Sequence, residues 1–365
     1  MADYAKLLSW CDHTILVLTA NVEGLATSYA NSAEPETFEI KRSLFLRGTW
    51  TSNGVQRFSD REVEAIVKKN YFVVAQEILT FYPDICLVGN IDLLGIEIIS
   101  QILDAGIPVA HYLMNKLPGY PFQYAPKTPL YRCITVSDWV RRNISEAGYP
   151  TGNTQTIYPG GDADKFYQSS LPTRDRLRIV YASLVMPYKG ADLLIEALSF
   201  LQAAGVEFTA TIAGGSLVPS YVQSLQETVK IKGLHPYVRF TGLLTQAELL
   251  EIYRTHNVWV LPSRFQEPFS IGLLEAMQAG LTIIASNTGG SPEAIDRGET
   301  GFIFESENVL DLANILTSLS INPELWASVA LKGQQKALSQ FTRSHTIEQL
   351  ESVFTDLVLL KERYS

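Results

Sequence analysis

Between residues 178 and 286 five short apolar runs recur: RIVYAS (178–183), FTATIAG (208–214), VRFTG (238–242), VWVLPS (258–263) and TIIAS (282–286). A stretch with helical spacing follows each of them. Short runs rich in β-branched residues that do not alternate with polar ones read as strands buried on both faces. Strands separated by helices read as a parallel, doubly wound sheet. Such a sheet holds its ligand beyond the carboxyl ends of its strands, where the strand-to-helix loops gather. Those loops are therefore the first place to look for chemistry.

The first half alternates less regularly. Spacing predicts a helix over 60–81, a strand DICLVG at 84–89, a helix ending near Ala105 and a strand from Pro108 to about Met114. The strand RCITVS then leads into a helix that opens at Ser137-Asp138. A first strand, HTILVLT (13–19), has only a short amphipathic stretch ahead of it and no Gly-rich strand-to-helix turn. The segment from Ala20 to Gln56 shows little period and is expected to be an extended, loop-rich excursion. In TIYPGGDADKF (156–166) a proline and two glycines break the pattern, which places a domain boundary there. A chain of 365 residues suits two domains. The expected division is 1–160, then 161–345, then a C-terminal helix over 346–365 that packs back on the first domain.

A net charge of -9 excludes the broad basic footprint of a nucleic-acid-binding protein. Three cysteines, Cys11, Cys86 and Cys133, are odd in number and far apart, as reduced thiols rather than a disulfide framework would be. The apolar stretch over 85–103 is interrupted by Asn90, Asp92 and Glu97, so it is no membrane span. The opening MADYAKLLSWCDH lacks the basic region and apolar run of a signal peptide. A cytoplasmic location is expected. The pairs Lys68-Lys69 and Arg141-Arg142 leave room for peripheral contact with the inner membrane face.

The chemistry concentrates in LPSRFQEPFSIGLLEAMQAG (261–280), where a buried strand ends at Pro262-Ser263, a loop carries Glu267, and a helix begins near Pro268 to Ser270. A helix N-terminus offers N–H groups and partial positive charge, which suits a diphosphate. Ser270 and Gly272 keep the backbone approachable there. Glu267 and Glu275 are carboxylates able to accept hydrogen bonds from paired hydroxyls, and the second is expected about two helical turns in. The run TIIASNTGGSPEAI adds a second Gly-rich turn at Gly289-Gly290.

These segments resemble glycosyltransferase family 4, the retaining GT-B glycosyltransferases of group 1 type, over most of the chain and most closely from Arg178 to Phe304. The resemblance implies an α/β protein of GT-B fold, two Rossmann-like doubly wound domains facing across a cleft. It implies that Glu267 contacts the transferred sugar and Glu275 holds the ribose hydroxyls. The backbone of Phe269, Ser270, Ile271, Gly272 and Leu273 would bind sugar hydroxyls and diphosphate, while Gly214-Gly215 and Gly242-Leu243 would flank the base. In YASLVMPYKG, Lys189 matches the lysine that binds the donor phosphates. Family members commonly carry an arginine five residues earlier; here that donor-side position is Leu184, and Arg264 is the candidate to replace its charge. On the acceptor side, the positions of the family's histidine and aspartate hold Met114 and Asn115. His111, three residues earlier, and Asn115 are the residues named there for catalysis. The absent Gly-rich opening turn is a second departure.

The function so implied is transfer of a hexose, with retention, from a nucleoside diphosphate sugar to a hydroxyl of a glycan or lipid-linked acceptor. UDP-glucose is favoured over GDP-mannose, by general resemblance to enzymes of bacterial exopolysaccharide assembly. No cofactor and no metal are expected. Asp162-Ala163-Asp164 spells the D-x-D of metal-dependent GT-A transferases, yet lies in the segment that matches this family's interdomain turn, and no His/Cys cluster has metal-ligand spacing. The competing reading is a catalytically degenerate nucleotide-sugar-binding protein, motivated by Leu184, Met114 and the absent Gly-rich opening turn.

Overall fold

The apolar runs of the second half line up as one sheet because none can bury both of its faces alone. A computed structural model describes residues 2–20, 38–51 and 54–364. The chain folds into two compact units. The first comprises Met1–Val136, Val140–Ile157 and Thr346–Ser365, and the second Ser137–Trp139 and Tyr158–His345. The helix Arg343–Tyr364 thus begins in the second unit and continues in the first.

In the first unit the strands are β1 (Leu16–Ala20), β2 (Glu39–Leu44), β3 (Gly48–Thr51), β4 (Gly54–Arg57), β5 (Cys86–Val88), β6 (Val109–Leu113), β7 (Tyr131–Thr135) and β8 (Gln155–Thr156). The last four form a parallel sheet in the order β5-β6-β7-β8, and every residue of β6 is buried. The helix Asp60–Phe81 occupies the predicted span. Its Glu62 carboxylate accepts from the Ser59 backbone N–H at 3.0 Å and from the Ser59 hydroxyl at 2.6 Å, one half of a capping box.

The loop-rich excursion expected over Ala20–Gln56 is in part wrong. β2 pairs in parallel with β1, Leu16 opposite Glu39, and β3 and β4 form an antiparallel hairpin. The sequence of β2, EIKRSL, has too few apolar residues to show a period, and its partner is remote in the chain, so only the pairing reveals the strand. The remainder of that expectation, over 21–37 and 52–53, lies outside the described residues.

In the second unit β9 (Leu177–Ala182), β10 (Phe208–Ala213), β11 (Val238–Gly242), β12 (Val258–Leu261), β13 (Thr282–Ser286) and β14 (Phe302–Phe304) form one parallel sheet. Their order is β11-β10-β9-β12-β13-β14. Five of the six coincide with the predicted runs to within two residues; β14 is a three-residue strand too short to have been read. Alternation sorts the side chains onto two cores. Ile179, Tyr181, Val258 and Val260 join Leu194, Leu198, Ile284 and Trp326 on one face. Val180, Trp259 and Leu261 join Leu273, Leu274 and Ile283 on the other. Burial on both faces is why these strands are continuously apolar.

The strand order locates the site. The direction of winding reverses between β9, from which successive strands are added outward through β10 and β11, and β12, from which they are added the other way. Side by side, the loops after β9 and β12 diverge and leave a crevice, the position at which open α/β sheets bind ligands. Among the described residues no helix is long and apolar enough to cross a membrane. Cys11, Cys86 and Cys133 are unbridged.

Candidate active site

Two loops of the second unit meet at the crevice. After β9 the chain makes a short turn, Pro187–Lys189, before the helix Ala191–Ala203; after β12 it runs through Pro262 to Ser270 before the helix Ile271–Gln278. The Tyr188 carbonyl accepts from the backbone N–H of Arg264 at 2.9 Å and of Phe265 at 3.1 Å, which ties the loops together. Gly190 makes the approach possible. It has φ +73°, and a Cβ there would lie 1.8 Å from the Pro262 carbonyl oxygen.

The same lacing fixes Glu267 from the other side. The Ser286 and Thr288 hydroxyls donate to the Ser263 carbonyl at 2.6 and 3.0 Å, and the Gly290 N–H donates to the Glu267 carbonyl at 2.8 Å. At Gly289 a Cβ would lie 2.2 Å from that carbonyl oxygen, so the second Gly-rich turn serves to seat the Glu267 loop. Held this way, Glu267 Oε1 lies 2.9 Å from Lys189 Nζ. Their side chains are only 12% and 14% exposed, so this ion pair is less screened by water than a surface pair.

Beside the pair, the helix Ile271–Gln278 starts one residue after Ser270, whose Oγ accepts from the Leu273 N–H at 3.3 Å. Leu273 is thereby capped, and its side chain is fully buried in the core. The N–H groups of Ile271 and Gly272 have no carbonyl within the helix to bond, the usual condition of a first turn, and they carry the positive end of its dipole. Glu275 stands one turn into the helix rather than two, because the helix begins at Ile271. Phe269 packs its ring on Tyr158 and Phe341, with centroids 5.5 and 6.3 Å away. The remaining donor-side loops are also stitched across the strand ends. The Val185 N–H donates to Gly215 O at 2.8 Å and the Gly214 N–H to Gly242 O at 2.9 Å. Leu184 and Leu243 are exposed beside them.

Arg264, expected as a replacement phosphate ligand, has other partners. Its Nη1 and Nη2 donate to the two carboxylate oxygens of Asp192, each at 2.8 Å, and its Nε donates to Glu307 at 2.6 Å. Two carboxylates offset its charge, and the bonds to them raise its pKa further. Asp162 of the D-x-D lies 6% exposed, bonded to Arg343 Nη1 at 2.8 Å and 3.2 Å from Lys165 Nζ. Sequence inspection had no means of pairing Arg264 with Asp192, since their separation in the chain hides the contact.

The acceptor-side residues belong to the first unit. His111 is corrected from a catalytic candidate to a core residue: it sits mid-strand in β6 with no exposed surface, its Nδ1 2.8 Å from the Tyr131 hydroxyl. That hydroxyl also lies 2.9 Å from the Tyr120 hydroxyl, which makes a buried network that sequence reading missed. Asn115 is half-buried and donates from Nδ2 to Asp92 at 2.6 Å, so the amide is committed to a neighbouring loop.

Burial pushes the His111 imidazole down to about 3, with a backbone bond at Gly89 acting the other way. Native His111 therefore stays neutral where an unfolded-chain histidine, with a pKa of about 6.5, takes up a proton. Its contribution to stability is complete above that unfolded value and is lost as pH falls toward about 3. Urea titrations at pH 7 and pH 5 are expected to show lower stability at pH 5, with the difference reduced in His111→Gln. An unchanged pH difference in the variant would assign the acid lability elsewhere.

Residues 162–336 match the family described as glycosyl transferases group 1. The GDP-mannose-dependent alpha-(1-6)-phosphatidylinositol monomannoside mannosyltransferase of Mycobacterium tuberculosis is 27% identical over 221 residues, covering 56% of this chain and 57% of that protein. The chain thus spans little more than half the length of that relative. Among solved structures, a glycosyltransferase from Rickettsia africae superposes with a TM-score of 0.81 at 16% identity, covering 98% of this chain and 93% of that one. Anabaena HepE in complex with UDP and glucose gives 0.73 at 20% identity, covering 97% and 94%. At these identities the likeness is one of fold. The likeness to the glycosyl transferases group 1 family thus rests on residues 162–336, just under half of the chain, and the fold is GT-B.

Proposed function

We propose that the chain transfers a hexose from a nucleoside diphosphate sugar to a hydroxyl of a glycan or lipid-linked acceptor, with retention of anomeric configuration. The observation that carries the reading is the Lys189–Glu267 pair at the topological switch point, beside the first turn of the helix Ile271–Gln278. In this reading the diphosphate lies against the Ile271 and Gly272 N–H groups, and Lys189 swings from Glu267 to the phosphate. Negative charge grows on the leaving diphosphate as the glycosidic bond breaks, so fixed donors aimed there lower the barrier. Glu267, released from Lys189, accepts from sugar hydroxyls, while Glu275 takes the ribose. The departing phosphate receives the acceptor's proton, and no group on the protein need attack the sugar.

UDP-glucose and GDP-mannose are the two donors in contention. Anabaena HepE was solved with UDP and glucose, whereas the mycobacterial relative is GDP-mannose-dependent. The exposed Leu184 supplies no charge to the phosphates and is the specific observation that favours the second reading, binding without turnover. A panel of nucleotide sugars assayed for nucleotide release decides both points. Turnover of one donor by the wild type, with product anomer read by NMR, is the expected result. Affinity without release would favour the binding protein, and neither affinity nor release would sink the proposal.

Metal independence is part of the same proposal. The chelating pair that a D-x-D would need is broken up by the ionic bonds of Asp162 to Arg343 and Lys165. Activity is expected to survive EDTA with less than about a twofold loss, since no metal-held phosphate is invoked. Abolition by EDTA and recovery on adding a divalent cation would overturn this.

A further inference from the structure

Arg264 and its partners line a cavity of about 490 Å³ in the second unit, walled by Pro187, Tyr188, Asp192, Tyr221, Arg264 and Phe265. The volume is that of an ordinary small-ligand site. Its aromatic walls are open to solvent: Phe265 is 50% exposed and Tyr188 39%. Their ring centroids are 5.6 Å apart at 60°, an angled corner rather than a parallel platform.

The polar floor is cross-linked by hydrogen bonds. Asp192 accepts from both terminal nitrogens of Arg264 and, on Oδ1, from the Tyr221 hydroxyl at 2.7 Å. Arg264 Nη1 also donates to the Pro187 carbonyl at 2.9 Å, and Nε to Glu307. Glu307 is one of only three non-glycine residues with positive φ among those described, at +67°. Counting bonds leaves one N–H on Arg264 Nη2, on the edge it shares with Nε toward Glu307, and one lone pair on Asp192 Oδ2, while the Tyr221 oxygen also meets the Asp192 backbone N–H.

A donor and an acceptor of this kind match hydroxyls, which give one hydrogen bond and take another. Aromatic rings set at an angle match the C–H face of a sugar ring. An anion is disfavoured, because two carboxylates face one guanidinium. A nucleobase is disfavoured because the two rings offer it no parallel surface.

We propose that this cavity binds a neutral pyranose unit of a glycan, at a place distinct from that of the transferred sugar. Chain-building transferases gain from a second hold on their product, since tethering raises the effective concentration of the growing end. The site adjoins the donor crevice through Tyr188 and Phe265, whose ring centroids lie 5.9 and 6.0 Å from Lys189 Nζ. Saccharide binding itself is measured without donor, and only the UDP competition arm rests on the reading of the crevice as the donor site.

The experiment is saturation-transfer NMR on the full chain with methyl α-D-glucopyranoside, methyl α-D-mannopyranoside and maltose, followed by titration for affinity. Transfer to the ring C–H protons of at least one saccharide is expected, and to persist when UDP is added to saturation. Phe265→Ala, at an exposed position, and Tyr221→Phe, which keeps the ring and removes the hydroxyl, are each expected to weaken binding about three- to tenfold. Thermal unfolding, measured in parallel, reports whether each variant is folded. Four results would overturn the proposal: no transfer to any of the saccharides, unchanged binding in both variants, loss of transfer on adding UDP, or Phe265-dependent transfer to uridine alone.

Discussion

Glu267→Ala is expected to lower kcat for sugar transfer by about two to three orders of magnitude, the scale seen when one preorganised polar group is removed from a reacting centre. The side chain is 12% exposed and its partner Lys189 14%, so removal also leaves an ammonium with its counter-charge gone in a site poorly reached by water. Glu267→Gln separates the two effects. It keeps the hydroxyl acceptor on the amide oxygen but removes the charge, so a loss confined to Glu267→Ala points to sugar orientation. Lys189→Ala is expected to cost donor affinity as well as kcat, since the ammonium meets the diphosphate before and during departure. Steady-state kinetics and donor titrations on the three variants test this. A kcat within threefold of wild type in Glu267→Ala would remove the residue from the reaction and leave the ion pair as a structural strut.

Gly190→Ala is expected to be among the most damaging single methyls in the second unit. The position has φ +73°, where a non-glycine residue carries strain, and the new Cβ would be placed 1.8 Å from the Pro262 carbonyl oxygen. Relief requires the two loops to part, which breaks the Arg264 and Phe265 bonds to the Tyr188 carbonyl and drags Lys189 from Glu267. Strain plus forced overpacking amounts to about 2–4 kcal/mol. Calorimetry should show the second unit melting several degrees lower, and donor affinity should fall with it. Gly205→Ala is the control, because φ there is +70° but no atom lies within 4 Å of the added Cβ. A melting temperature lowered equally in both variants would mean that backbone strain alone, not the loop contact, is responsible.

The parts of this protein legible in advance are those written locally. Strands of the second unit announced themselves because β12 and β13 are buried on both faces and so carry unbroken apolar residues. The helix Asp60–Phe81 is bounded by Ser59 and Glu62, a start signal four residues long. Glu267, Ser270 and Gly272 were legible for the same reason: a strand end, a loop and a helix start are adjacent in sequence, and the chemistry they offer together is set by that adjacency.

What eluded reading was whatever depends on partners remote in the chain. β2 looks like loop because its stability comes from pairing with β1, not from its own composition. His111 has the same residue type and neighbourhood whether it faces a ligand or a core. Only the register that sets it opposite Cys133, with Tyr131 and Tyr120 closing over it, makes it a buried neutral ring. Arg264 stands near Glu267 in sequence and was read with it, yet its guanidinium turns to Asp192 and Glu307.

By itself, then, the sequence determined the parallel α/β character of the second half and the residues that gather at its strand ends, since hydrophobic period and turn chemistry act over a few residues at a time. The tertiary structure alone decided the order β11-β10-β9-β12-β13-β14, and with it the crevice that brings Lys189 to Glu267. Strand order and ion pairing are settled by contacts between segments far apart in the chain, and those exist only once the chain has closed on itself.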